Sequence, residues 1–144
     1  STLTIVGHLN VPAELLPFEG RVTVKPFMDF LEMQTLLRTI DLNIVPLQES
    51  PFTWSKSELK YFEAALVETP TLASSTPVFT NAIQHGVNGY QAGSTEWLDT
   101  LQMIESQGPE ALGAIGQKAR ELALLAYSPQ TLAGKLETIF GKQK

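Results

Sequence analysis

The sequence predicts an α/β domain with a parallel sheet, and three observations support this fold class. Short runs rich in β-branched residues alternate along the chain with stretches whose apolar residues recur every three or four positions. This alternation is typical of parallel strands joined by helical crossovers. The length, 144 residues, suits one domain with its own core. With no cysteine, a disulfide framework is excluded, and a chain of this size needs neither a disulfide nor a metal to bury a core.

The individual elements follow from the same patterns. Strands are predicted at 3–6, 21–25, 41–46 and 71–74, with a small strand near Tyr90. Helices are predicted at 30–40, 55–67, 79–84, 95–105, 110–125 and 129–140, the last three separated at Gly108-Pro109 and Ser128-Pro129. A loop is predicted at 47–54, and Ser55 or Ser57 is the expected N-cap of the helix that follows.

Composition excludes several function classes. Without cysteine there is no thiolate metal site, and the two histidines, His8 and His85, lie far apart in the sequence. The net charge is −5, which disfavours a surface that neutralises many phosphates of a nucleic acid. No apolar run approaches the 18 or so residues of a membrane span. We therefore expect a cytoplasmic protein with no metal, no cofactor and no nucleic-acid partner.

The most informative segment runs from the third predicted strand through the loop into the next helix. Ligands of open α/β sheets bind beyond the carboxyl ends of the strands, and we expect 26–29, 47–57 and 74–78 to lie at that edge. A helix start there offers unpaired N–H groups to an anion. Lys56 falls in the predicted first turn, where a carboxylate is usually preferred. Its position suits a phosphate ligand, although a solvated lysine explains it as well.

Glu63 is the second candidate, because it lies in an apolar part of the same predicted helix, beside Tyr61 and Phe62. A carboxylate next to the core needs hydrogen-bonding partners. It can grip the hydroxyl groups of a ribose with two acceptor oxygens, or it can pair with Lys60 or Lys56 on the surface.

At this point the sequence resembles a known family. The residues are K-S-E-L-K-Y-F-E-A-A-L-V at 56–67, T-P-T-L-A-S at 69–74 and A-I-x-H-G-x-N-G-Y at 82–90, with supporting matches at 40–47 and at Tyr127-Ser128. Together they resemble the C-terminal, donor-binding half of group 1 (family 4) glycosyltransferases. The similarity is greatest to a bacterial branch carrying K-S-E-L-K-Y-F-E-A, often linked to cell-surface polysaccharides, and it covers nearly the whole chain.

The resemblance implies a GT-B enzyme, which binds a nucleotide-activated sugar between two Rossmann-like domains and usually transfers the sugar with retention. Residues 1–144 would then be the three-layer donor domain, and the acceptor would be a saccharide, a lipid or a protein. Because residue 1 falls directly before the first strand, we interpret the chain as a fragment that lacks its first βα unit and its N-terminal acceptor domain. Such a fragment is expected to be inactive alone, and any membrane association would come from the absent part.

The resemblance also implies site residues. Glu63 corresponds to the second, ribose-binding member of a pair of glutamates eight positions apart. The first member falls at Ser55, a departure that leaves Ser55, Lys56 or Ser57 to take part of the sugar-binding role. The amides of Ser57, Glu58 and Leu59 would meet the diphosphate. Phe27 and Met28 match the loop near the nucleobase.

A further departure is Glu68, where the family usually has glycine; a left-handed backbone there would be costly for glutamate. Two alternatives to a glycosyltransferase remain open. One is a non-catalytic Rossmann-like binding or interaction module, supported by Ser55 in place of glutamate. The other is half of a sugar-nucleotide epimerase with the same two-domain build.

Overall fold

The computed structural model describes residues 1–8 and 12–141, and the chain divides into two compact units, Ser1–Thr35 and Leu36–Lys144. The first unit contains strand β1 (Leu3–Val6), a 3-10 helix (Ala13–Arg21) and strand β2 (Val22–Lys25). Strands β1 and β2 pair in parallel, with Leu3 opposite Val22 and Val6 opposite Lys25. Helix α1 (Phe30–Leu37) begins in this unit.

The second unit is built on a parallel sheet of three strands, β3 (Asn43–Val45), β4 (Thr71–Ser74) and β5 (Tyr90–Ala92), in the order β3-β4-β5. The helices of this unit are α2 (Pro51–Trp54), α3 (Leu59–Leu66), α4 (Pro77–Ala82), α5 (Trp97–Tyr127) and α6 (Pro129–Phe140). The parallel α/β architecture is confirmed. The five strands form two sheets, one in each unit, rather than the one sheet predicted.

Helices cover both faces of the three-stranded sheet. Successive residues of a strand point to opposite faces, and Leu72 and Ala73 of β4 accordingly belong to two different core clusters. The Ala73 cluster includes Tyr61 and Ala65 of α3 and Ala119 of α5. The Leu72 cluster includes Tyr90 of β5, with Ile104 and Ile115 of α5. The second unit therefore has the predicted three layers.

Helix α5 is bent at Gly108, whose φ is +78°, immediately before Pro109. A proline cannot continue the hydrogen bonding of the preceding turn, and glycine accepts the positive φ at no steric cost. The bend lies where the sequence predicts a break between two helices.

The turn after α3 places Glu68 in a left-handed conformation, close to the backbone of α5. Glu68 has φ +64°, the left-handed conformation that favours glycine. A Cβ atom on Gly116 of α5 would lie 1.9 Å from the Glu68 carbonyl oxygen, so only glycine allows the two backbones to approach this closely. The Arg120 guanidinium lies 3.2 Å from the Glu68 carboxylate.

None of the helices in the described residues combines the length and the apolar character needed to cross a membrane.

Candidate functional site

The loop that follows β3 is anchored at the carboxyl edge of the sheet. The Leu47 N–H donates to Ser74 Oγ at 2.7 Å, and the Ser74 hydroxyl donates to the Leu47 carbonyl at 3.0 Å. Because Ser74 is the last residue of β4, this reciprocal pair fixes the start of the loop at the edge where ligands of α/β sheets bind.

The segment predicted as a loop at 47–54 contains a short helix, α2. Ser50 is its N-cap and accepts from the Thr53 N–H at 3.2 Å, while Thr53 Oγ1 accepts from the Ser50 N–H at 3.0 Å. Pro51 occupies the first helical position, where its missing N–H costs nothing. This capping box, S-x-x-T, begins a helix where the apolar periodicity is too short to reveal one.

The prediction of a helix over 55–67 with Ser55 or Ser57 as N-cap is wrong at its start. Ser55 ends α2: its N–H donates to the Phe52 carbonyl at 3.3 Å and its hydroxyl to the Pro51 carbonyl at 3.0 Å. Helix α3 begins at Leu59, and its N-cap is Glu58. The local hydrogen bonds of Ser55 complete one helix before the next can start.

Lys56 consequently lies between the two helices and not in the first turn of α3. Its N–H donates to the Thr53 carbonyl at 3.2 Å. The ammonium Nζ lies 5.2 Å from the centroid of the Phe52 ring, within cation–π distance. Lys56 remains exposed and available to an anion approaching the start of α3.

The start of α3 has free hydrogen-bond donors. Among the described residues, no acceptor pairs with the backbone N–H of Ser57, Glu58, Leu59 or Lys60, whereas the Tyr61 and Phe62 N–H groups both donate to the Glu58 carbonyl at 3.0 Å. The N-cap makes no side-chain hydrogen bond to the helix. Four consecutive unpaired donors at the positive end of a helix dipole form a site suited to an anion.

The Glu58 carboxylate has a partner far away in the sequence. It accepts a hydrogen bond from the Tyr127 hydroxyl, at the last residue of α5. The Tyr127 ring also packs edge-on against Phe62 of α3, with 4.9 Å between the ring centroids. Burial raises the pKa of Tyr127, and the hydrogen bond to Glu58 and the charge of that carboxylate raise it further. The phenol therefore stays protonated and keeps its role as donor.

Glu63 lies one turn into α3 and is half-buried. In the described part of the chain its carboxylate forms no ion pair or hydrogen bond, and the interpretation that pairs it with Lys56 or Lys60 is wrong for this structure. Both carboxylate oxygens are free to accept bonds from a ligand. Apart from Phe27 and Met28, all the predicted donor-binding residues lie within 55–63, in the second unit.

Phe27 and Met28 belong to the first unit. Phe27 is 73% exposed, and its ring lies 5.2 Å from that of His8 and 3.4 Å from the position a Cβ on Gly7 would take. Gly7, with φ +111°, leaves room for this ring. Met28 is half-buried in the same loop.

The H-G-x-N-G-Y part of the motif is a structural turn. Asn88 is buried; its Nδ2 donates to the Tyr61 hydroxyl at 2.9 Å and to the Ala82 carbonyl at 3.0 Å, and its Oδ1 accepts from the Gln84 N–H at 2.6 Å. Burial raises the pKa of Tyr61 to about 12, and the hydrogen bond from Asn88 offsets part of that rise. The pattern of the sequence alone did not identify the Asn88–Tyr61 contact, because 27 positions separate the two residues.

A separate cleft of about 610 Å³ lies beside β5; Ser75 of the predicted edge segment 74–78 lines it, but none of the residues predicted to bind the donor does. Its polar lining includes Ser75, Gln91, Glu96 and Asp99. Among the described residues, no three histidine, aspartate or glutamate side chains are grouped so that they could hold a metal ion.

Comparison with known proteins gives a consistent fold. The chain superposes on HepE of Anabaena, solved with UDP and glucose, with a TM-score of 0.75 and 18% identity over 99% of this chain and 41% of HepE. It superposes on sucrose-phosphate synthase of Thermosynechococcus elongatus with a TM-score of 0.75 and 19% identity, over 96% of this chain and 37% of that one. The C-terminal domain of a group 1 glycosyl transferase of Francisella tularensis, LpcC, gives a TM-score of 0.61 and 19% identity over 83% of this chain and 67% of that chain.

No family model matches the sequence, and no curated protein matches it either. The chain spans about two fifths of the length of HepE and of sucrose-phosphate synthase. At identities below 20% these likenesses are evidence of fold. The chain has the α/β, Rossmann-like fold of the C-terminal domains of GT-B glycosyltransferases.

Proposed function

We propose that this chain is the nucleotide-sugar-binding domain of a glycosyltransferase and that the start of α3 holds the diphosphate of the donor. The observation that supports this most is the run of four unpaired N–H groups at 57–60. Diphosphate oxygens are strong acceptors, and a helix N-terminus binds them with both hydrogen bonds and the helix dipole. That HepE was crystallised with UDP and with UDP-glucose is consistent with a donor of this class.

Glu63 is the proposed ribose ligand. Its carboxylate is half-buried, has no protein partner in the described residues and follows the free amides by one helical turn. A carboxylate accepts from two neighbouring hydroxyl groups at once, which matches the 2′ and 3′ hydroxyls of a ribose. The same stretch of chain would therefore bind two successive parts of one nucleotide.

Two further groups complete the proposed donor site. Lys56, exposed beside the free amides, adds positive charge for the diphosphate, and the Ser55 hydroxyl retains lone pairs for a sugar hydroxyl while it donates to Pro51. For Phe27 and Met28, in the first unit, the role near the nucleobase is what the resemblance implies.

The proposed reaction transfers the sugar, with retention, from the nucleotide to a saccharide, lipid or protein acceptor, in the synthesis of cell-surface polysaccharides by the bacterial K-S-E-L-K-Y-F-E-A branch. The part of this domain is to stabilise the departing diphosphate, whose negative charge grows as the glycosidic bond breaks. We further propose that residues 1–144 bind the donor but form no product alone, because a GT-B enzyme also needs an acceptor domain.

A non-catalytic binding module is the second candidate, and one observation favours it. Ser55 stands where the family has its first glutamate, and its hydroxyl already donates to the Pro51 carbonyl. A module of this kind would have no site for a nucleotide.

Thermal unfolding with nucleotide distinguishes the two candidates. UDP at ten times its dissociation constant stabilises the folded chain by about 1.4 kcal/mol if it binds only the folded state. We expect the melting temperature to rise with UDP concentration and the rise to shrink with added salt. No shift at millimolar UDP, CDP, GDP or ADP would favour the non-catalytic module.

A further inference from the structure

We propose that Tyr127 is a positioning residue that holds the Glu58 carboxylate away from the amides at the start of α3 and so keeps them free for an anion. This inference rests on the proposed function of that helix start. Tyr127 touches no proposed ligand. It acts through the hydrogen bond that its hydroxyl donates to Glu58.

The need for such a residue comes from the position of Glu58. Glu58 is the N-cap of α3, and the free amides of Leu59 and Lys60 follow it directly. A carboxylate at this position is drawn to those amides by their unpaired N–H groups and by the helix dipole. Folded back onto the helix, it would compete with a diphosphate and repel it.

The observed conformation avoids this competition. Glu58 makes no cap hydrogen bond and is bound to Tyr127 instead. Tyr127 is itself held in place by its ring contact with Phe62, and the next residue, Ser128, accepts from the Thr131 N–H at 3.2 Å to begin α6. The junction between α5 and α6 therefore fixes the tyrosine beside the start of α3.

The first test needs no nucleotide. The amide shifts of the 144-residue protein are compared by NMR at constant pH in the wild type, Tyr127→Phe, Glu58→Gln and the double variant. The change at Lys60 from Glu58→Gln is compared in two backgrounds, the wild type and Tyr127→Phe. With Tyr127→Phe, Glu58→Gln should shift the Lys60 N–H much more than it does with Tyr127 present, because the freed carboxylate then contacts that N–H. Equal shifts in both backgrounds would overturn the inference.

The second test measures UDP affinity in four proteins. Tyr127→Phe should weaken binding roughly fivefold, since the freed carboxylate competes for the amides. Glu58→Ala should tighten it about twofold, because a negative charge is removed. The double variant should regain at least the wild-type affinity. Tyr90→Phe is the matched control: it removes a buried tyrosine hydroxyl that donates to Gln107, and it should leave the UDP affinity unchanged.

The outcomes separate three accounts. If Tyr127 were only a structural tether, Glu58→Ala would weaken UDP binding as much as Tyr127→Phe, and the double variant would not recover; that result would overturn the inference. If UDP left the 57–60 amides of the wild type unperturbed, the proposed function would fail, and the nucleotide-free NMR comparison alone would decide whether Tyr127 restrains Glu58.

Discussion

Two polar segments of the second unit, 57–60 and 84–90, both belong to the motifs that the sequence analysis singled out. They differ in whether their hydrogen-bonding groups have partners within the protein. In the turn at 84–90 two polar side chains are paired within the protein: Asn88 bonds to Gln84, Ala82 and Tyr61, and His85 Nδ1 accepts from the Gln91 N–H at 3.1 Å. At 57–60 four backbone donors in a row have no acceptor in the described residues.

The difference separates two reasons for which a sequence motif contains a polar residue. A buried polar group that is fully paired stabilises the fold, and its loss is expressed as a loss of stability. Donors left unpaired at a helix start gain little for the fold and are available to a ligand. Changes in the turn should therefore alter unfolding, and changes near 57–60 should alter binding.

The largest expected effect is on stability, in the turn. Asn88→Ala removes three hydrogen bonds and leaves the Gln84 N–H and the Tyr61 hydroxyl without this partner, which should lower the free energy of unfolding by about 3 kcal/mol. Urea denaturation measures it. Asn81→Ala, on the exposed side of α4, is the control and should change stability by less than about 0.5 kcal/mol. An Asn88 variant as stable as the control would contradict the structural role of the turn.

The stability of the chain at alkaline pH should also depend on Tyr61, the buried partner of Asn88. Its pKa is raised from 10.0 to about 12 by burial, so the folded chain keeps a proton that the unfolded chain loses. Stability from this group is full below pH 10 and falls as pH rises toward 12, by about 2 to 3 kcal/mol in total. Denaturation between pH 9 and 12 measures it. Tyr61→Phe should flatten the fall, and an unchanged slope would show that Tyr61 titrates alike in both states.

Substitutions at the proposed donor site should change UDP affinity rather than stability. Glu63→Gln keeps the size of the side chain but removes the charge that strengthens hydrogen bonds to ribose hydroxyls, and it should weaken UDP binding by about 1.5 kcal/mol, or roughly tenfold. Calorimetric titration measures the affinity, with Glu110→Gln on the exposed side of α5 as control. In a glycosyltransferase that contains this domain, as proposed, the same change should impair donor use more than acceptor use. Equal affinities for the two variants would remove Glu63 from the site.

The smallest effect is expected for Lys56. Its ammonium is exposed, so Lys56→Ala should weaken UDP binding only about threefold, and the difference from the wild type should vanish near 1 M salt. Lys135→Ala on α6 is the control and should bind UDP as the wild type does. A difference between Lys56→Ala and the wild type that persists at high salt would indicate a role other than charge.

The strands and most helices could be predicted from the sequence, because the spacing of apolar residues and the breaks at proline or glycine can be recognised within a short stretch of chain. The start of α3 was missed for a local reason that periodicity does not contain: the Ser50–Thr53 capping box begins a separate helix, and Ser55 closes it. The resemblance marked Glu68 as a departure from the usual glycine, and the structure shows that its backbone is left-handed, with φ +64°.

The contacts that shape the site were beyond the sequence for a different reason. The bond between Tyr127 and Glu58 spans 69 positions, and the partner of Asn88 lies 27 positions away. Such pairs are set by how α3, α4 and α5 pack on the sheet. Residue type and spacing therefore indicated which segment to examine, and only the three-dimensional arrangement separated its free donors from the paired ones.

The most direct test of the central claim is an amide NMR titration of the 144-residue protein with UDP. We predict that the largest shift changes fall on Ser57, Glu58, Leu59 and Lys60, with smaller changes around Glu63, and that they saturate together. The amides of 84–90 should barely move. Changes concentrated in that turn, or saturation with the 57–60 amides unmoved, would contradict the claim that the unpaired donors at the start of α3 are the diphosphate site.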